Sequence, residues 1–268
     1  MKKIKKTIKN LPYLFILVIA YLVIERWMQI PNRETKMLWV IILFLGVVFF
    51  VGMVLVKKIN RSQKLKTVTD TSRGTKSERE LVLQLLKIGI SSDMIFHDLY
   101  VTKDNGHFAQ IDLVALTEVG VIVFEVKEYS GWIFGTGYQE QWTQVLAYGK
   151  MKYRFQNPIL QNRRHIDVLK RKLRNYGNVP FYSVVVFYGK CELKDVSFIP
   201  KDTYLLKPNR IKDVLDIIRK ENSSVNYPDI NETIKILKEA VSTGENPENQ
   251  AQHIENIQEM LGKERILD

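Results

Sequence analysis

The sequence predicts an α/β domain carried behind a helical membrane anchor and followed by C-terminal helices. Three observations predict it. Met37 to Val56, MLWVIILFLGVVFFVGMVLV, runs for 20 residues without a charge. The stretch QIDLVALTEVGVIVFEVKEYSG, residues 110–131, holds two apolar runs joined by a short Glu118-Val119-Gly120 turn, the pattern of paired buried strands. Helical apolar spacing begins near Thr75, returns after Asn157, and recurs at about 208–221, 229–241 and 247–261, with a further strand at FYSVVVFY, 181–188.

Length and charge both point to an anchor. At 1.5 Å per residue the 37–56 run makes a helix about as long as the ~30 Å hydrocarbon core of a bilayer. Leu11 to Ile24 is a second apolar run. Flanked by Lys9 and Arg26, which can snorkel, and by an interfacial Trp27, it predicts another span over about 11–30. A cleaved signal peptide competes, but no small-x-small cleavage site follows it. The N-terminal MKKIKKTIKN and the KKINRSQKLK after the second span each carry five Lys or Arg, against three in the loop between. The positive-inside rule therefore puts both termini in the cytoplasm of a multi-pass protein of the cell membrane, with basic flanks suited to anionic headgroups. The single cysteine, Cys191, excludes an internal disulfide and suits a reducing compartment.

Net charge, +11, invites a nucleic-acid reading that its placement removes. Residues 1–66 hold 13 Lys or Arg and 2 acids, whereas 67–268 hold 27 of each. The expected organisation is an anchor over 1–66, a catalytic-type domain over 67–200 and a helical extension over 201–268.

Chemistry is carried by Asp112, Glu125 and Lys127. Side chains alternate along a strand, so Glu125 and Lys127 share a face, and Gln110, Asp112 and Val114 share one on the first run. The Glu118–Gly120 turn folds the runs into a hairpin on which the carboxylates can converge. Buried carboxylates and a lysine require partners or a metal ion. Mg²⁺ takes oxygen ligands, commonly one or two carboxylates with waters and phosphates, and a lysine beside it can orient the attacking water. The plain alternative is a surface aspartate and a Glu–Lys salt bridge.

Several segments, in order from about Arg73 to Val186, resemble the nuclease-related domain, NERD, a branch of the PD-(D/E)XK nuclease superfamily. They are GTKSERELVLQLL, QIDLVAL, GVIVFEVKEYSGWIFG, the Gln141-Trp142 pair and FQNPILQNRRHI. The resemblance implies a restriction-endonuclease-like αβββαβ core and metal-dependent nuclease activity with Mg²⁺ or Mn²⁺. It maps acidic and basic positions onto Glu78, Asp112, Glu125 and Lys127. Ile111 stands where the superfamily's name has proline.

Glu78 lies on the inward stripe of its helix with Leu81, Val82, Leu85 and Leu86, so it can approach the site. The alternative is a Thr75-x-x-Glu78 capping box, with which Ser77-x-x-Glu80 competes. Asn157 and Pro158 open the next helix and Gly177 closes it. On that helix Gln161 and His165 stand one turn apart. The resemblance suggests a Gln-x-x-x-Tyr pair there, with histidine in the second place. His165 has no Cys/His neighbours with zinc-ligand spacing, and a purely structural role is the alternative. Residues 145–180 carry nine Lys or Arg and one acid, with Tyr148, Tyr153 and Phe155 interleaved. Arg154, Arg163, Arg164 and His165 are the candidate substrate-binding residues of a phosphate track; a solvated helix face is the plainer reading.

These readings combine in a membrane-anchored, cytosol-facing nuclease. Asp112 and Glu125 hold the metal, and Lys127, Glu78 and Gln161 assist the chemistry. Its partners are nucleic acid, DNA ahead of RNA, and membrane lipid through the N-terminal helices. The alternatives are an inactive module of the same fold that binds nucleic acid or protein at the membrane, and a membrane scaffold.

Overall fold

A computed structural model describes residues 25–26, 33–146, 149–174 and 179–261. The expected span at about 11–30 lies outside the described residues except for Glu25 and Arg26, and so do Trp27, Tyr148 and Gly177. By internal packing the chain divides into residues 1–60 and 61–268.

In the first unit the uncharged run forms helix, within α1 (Arg33–Lys66). The helix Met37–Lys66 is long and apolar enough to cross a membrane, and its most apolar 18-residue window has a mean hydropathy of 3.0 and no burial against protein. A helix that is apolar on all sides and covered by nothing is suited to lipid rather than to water.

The second unit begins its α/β core with α2 (Lys76–Ile88). Thr75 caps it by accepting from the Glu78 amide, and Gly89, at φ +106°, ends it in the left-handed region that glycine enters without strain. Three strands follow: β1 (Ile95–Thr102), β2 (Phe108–Thr117) and β3 (Gly120–Glu128). After an insertion come α3 (Pro158–Leu173) and β7 (Phe181–Tyr188). The order α2-β1-β2-β3-α3-β7 is the αβββαβ core. β1, β2 and β3 form an antiparallel meander; β7 and β9 (Thr203–Leu206) continue the sheet in parallel, giving the order β1-β2-β3-β7-β9.

The insertion makes a second sheet. β4 (Gly131–Thr136), β5 (Gln141–Leu146) and β6 (Met151–Gln156) pair antiparallel, and β8 (Cys191–Ser197) joins β4 in parallel. Trp142 is fully buried in it and stacks on Phe187 with ring centroids 6.2 Å apart.

Both faces of the first sheet are covered. Leu113, Ala115, Ile122, Phe124 and Val126 pack with Leu81, Val82 and Leu85 of α2 and with Ile211, Leu215 and Ile218 of α4 (Ile211–Glu221). Val114, Leu116, Val121 and Val123 pack with Ile166 and Leu169 of α3 and Leu237 of α5 (Ile230–Thr243). The pleat thus sends alternate residues of β3 to α2 and to α3, and Glu125 and Lys127 fall on the α3 side. A last helix, α6 (Pro247–Leu261), follows. The C-terminal helices at 211–221 and 230–243 are amphipathic for a visible reason, because their apolar stripes complete the two cores.

Candidate functional site

The hairpin opens at the site. β2 and β3 pair from Thr117–Gly120 to Leu113–Phe124 and no further, while β3 stays paired to β7 as far as Glu128–Tyr188. Past the last pair, the Val126 amide donates to Asp112 Oδ2 at 2.7 Å. A side-chain carboxylate thus takes the place of a ladder carbonyl, and Asp112 keeps partial access to solvent there.

Glu125 is 1% exposed. Lys127 Nζ lies 2.6 Å from its Oε1 and donates to Gln161 Oε1 at 3.0 Å; His165 Nδ1 lies 3.4 Å from its Oε2. Gln161 and His165 therefore both face the Glu125–Lys127 pair. They are held there by two asparagines, Asn157, which the sequence marks as a cap, and Asn162, whose signal is faint. Asn157 caps α3 by accepting from the Ile159 amide and donates to the carbonyls of Thr136 and Gln139. Asn162, fully buried, donates to the Val123 carbonyl and to Ser183 Oγ, fastening α3 across β3 and β7. An asparagine on the apolar stripe of a helix was the only available hint of this bolt.

On the α2 side Glu78 is buried in the first turn of its helix. Thr75 Oγ1 donates to Glu78 Oε1 at 2.7 Å, and His97 Nε2 stands 3.4 Å from Oε2. His97 is fully buried, with Nδ1 2.9 Å from Thr69 Oγ1. A Cβ on Gly74, which has φ +60°, would collide with both Glu78 Oε2 and His97 Nε2. The glycine thus admits the Glu78–His97 contact. Nothing in the sequence singles out His97, so its partnership was not foreseen.

The groups titrate against one another. Burial, then the charges of Glu125 and Glu78, raises Asp112 well above the ordinary carboxylate range. Burial also raises Glu125, against the pull of Lys127. Burial works against charge on Lys127, but the Glu125 carboxylate outweighs it and the ammonium is held. Glu78 is lowered, because the polar contacts of His97 and Thr75 outweigh its burial. His165 is pushed down to about 3, first by burial and then by Lys127, so its imidazole is neutral.

The donor set fits a hard divalent cation in a restricted sense. Both Glu125 oxygens and Glu78 Oε2 are buried without an aligned hydrogen-bond donor, leaving acceptor capacity unused. Among the described residues no set of three or more His, Cys, Asp or Glu side chains could by itself hold a metal. Asp112 and Glu125 therefore suit an ion bound through two carboxylates and completed by waters and phosphate oxygens.

The basic residues are scattered. Arg163 and Arg164 are exposed on α3, and Arg164 pairs with Glu140 at 3.0 Å. Arg154 is exposed on β6, on the opposite face from Phe155 by strand alternation.

Residues 73–188 match the family model of the nuclease-related domain, and the chain carries such a domain over that range. An uncharacterized protein of Bacillus anthracis is 31% identical over 144 residues, covering 54% of this chain. The chain spans 66% of that relative's length. No solved structure matches the chain.

Proposed function

We propose that this nuclease-related domain is a divalent-metal-dependent phosphodiesterase acting on nucleic acid and tethered to a membrane. The observation that carries the reading is Glu125: a carboxylate 1% exposed, beside Lys127, opposite the opened end of β2 that bears Asp112, with both oxygens lacking an aligned donor. A purely structural Glu–Lys pair has no need of that burial, which costs several kcal/mol per ion in order of magnitude.

In this reading Asp112 and Glu125 hold the ion, Mg²⁺ or Mn²⁺, which when bound would polarise a phosphoryl oxygen and lower the pKa of a water. Lys127, steadied by Gln161, orients the attacking water and offsets negative charge that develops on the phosphate. Glu78, kept ionised by its neighbours, adds standing charge that favours a cation. His165, neutral, closes the site against solvent on the α3 side and cannot compete with Lys127 as a cation. Arg163 and Arg164 offer phosphate contacts on α3. DNA is placed ahead of RNA as the substrate, and the anchor is read as two spans, about 11–30 and 37–56, with both termini in the cytoplasm. The domain is taken as 67–200, between that anchor and the extension at 201–268.

One observation favours a second reading, a module that binds without cutting: Lys127 Nζ sits directly on Glu125 Oε1, the oxygen an ion would need. Purified full-length chain in detergent, incubated with DNA and with RNA in Mg²⁺ or Mn²⁺, separates the two. Cleavage by wild type that is lost in Asp112→Ala and in Lys127→Ala supports hydrolysis. Binding that neither substitution affects, with no cleavage, supports the module.

A further inference from the structure

An aromatic row leads out of the site along the inner face of the second sheet. Tyr129 follows Lys127 by two residues, just past the end of β3. Its ring meets Phe155 of β6 with centroids 4.4 Å apart. Directly opposite residues of an antiparallel pair share a face, and the register pairs Trp142 with Phe155 and Gln144 with Tyr153. Gln144 donates to the Ser130 carbonyl at 2.8 Å, which seats this face against the end of β3. Tyr153 therefore continues the row begun by Tyr129 and Phe155, and Met151 continues it beyond. Burial falls along it: Tyr129 and Phe155 are half-buried, whereas Tyr153 is 51% exposed and Met151 44%. β6 is the edge of its sheet, and four of its first four side chains are exposed.

We propose that Tyr129, Phe155 and Tyr153 form a stacking track for the bases of an unpaired nucleic-acid strand whose backbone passes Lys127. The substrate class is then single-stranded nucleic acid, or an unpaired end, rather than intact duplex. The inference rests on the nucleic-acid reading above and narrows it. Flat aromatic side chains bind any base through its π-face, and a base offers that face only when it has left a duplex stack. The row meets the one position where phosphate must lie for Lys127 to act, so bases and backbone have separate partners along one path. A cation-lined groove would bind duplex through phosphates alone, but here Lys152 and Arg154 alternate onto the other face of β6.

The test is binding in Ca²⁺, measured by fluorescence anisotropy with the full chain in detergent. The probes are a labelled single-stranded oligodeoxynucleotide, the same strand in a perfect duplex, and the same strand with its central bases removed to leave abasic sugars. The single strand is expected to bind about ten-fold or more tighter than the duplex. Tyr153→Ala and the abasic strand should each lose about ten-fold, their losses should not add, and Tyr153→Phe should bind as wild type does. Equal affinity for duplex and single strand overturns the track, and so does an abasic strand that binds wild type as well as the intact one. That second comparison needs no variant to fold. Tyr153-dependent binding by a chain that cleaves nothing supports the track while removing the hydrolytic reading, so the two fail separately.

Discussion

Asp112 Oδ2 accepts the Val126 amide at 2.7 Å at the point where β2 and β3 cease to pair. The contact ties a site carboxylate to the backbone between Glu125 and Lys127, so the hairpin's opening and the site's geometry are one feature. Burial and neighbouring carboxylates oppose charge on Asp112. Removing that charge should therefore relieve the metal-free protein. Asp112→Asn, which keeps the amide's acceptor, is expected to raise metal-free stability by about 1 kcal/mol or more. It should also abolish the rise in melting temperature that Mg²⁺ gives wild type. Thermal unfolding with and without Mg²⁺ checks both; an unchanged Mg²⁺ response in the variant would count against Asp112 as a ligand.

The pH dependence follows with a definite sign. Asp112 and Glu125 are raised in the folded chain, so over the interval above the ordinary carboxylate pKa of about 4 the native state holds protons that the unfolded state has released. These two groups contribute stability that is complete below that value and is lost as pH rises through their folded pKa values. Their contribution to metal-free stability should thus fall as pH rises, and Asp112→Asn should flatten the fall. Saturating Mg²⁺ should reverse its direction, because the ion binds the deprotonated pair. Urea denaturation across pH, with and without chelator, measures it.

Lys127 and Glu125 act as a unit. Lys127→Met should leave Glu125 buried and unpaired, costing about 3 kcal/mol or more of stability. It should also reduce cleavage by about 100-fold or more. Adding Glu125→Gln should recover most of the stability and none of the activity. A double variant as unstable as the single one would mean that charge is not what the pair balances.

Much of this arrangement was legible beforehand. Period-two alternation put Glu125 and Lys127 on one face, and the 118–120 turn fixed the hairpin that brings Asp112 opposite. The uncharged run from 37 to 56 announced its helix. The second sheet was mostly hidden, because Met151–Gln156 exposes residues on both faces and carries no buried alternation for a reader to detect. Glu78 posed a choice between cap and site, and the contacts it makes belong to the start of its helix: one carboxylate oxygen accepts from Thr75 and the other faces His97. No sequence pattern pairs a strand histidine with a helix glutamate 19 residues before it; only the packing of α2 on β1 does so.

Gly74 provides a sharp probe of that pairing. Gly74→Ala places a methyl group against Glu78 Oε2 and His97 Nε2 at a φ of +60°. It should lower stability by about 1 kcal/mol or more and cut cleavage as much as Glu78→Gln does. Gly89→Ala, at φ +106° but in open space, is the control: it should lower stability similarly and leave cleavage of the folded fraction intact. Loss of cleavage in the Gly89 variant as well would make the Gly74 effect one of folding alone.

The deciding question is whether one ion sits between Asp112 and Glu125. Crystals of the chain soaked in Mn²⁺, with data collected to record its anomalous signal, should show a single peak contacted by those two carboxylates and by no third acidic side chain, with Lys127 drawn off Glu125 Oε1. Full-occupancy Mn²⁺ elsewhere, with the Glu125–Lys127 pair still closed, would contradict it.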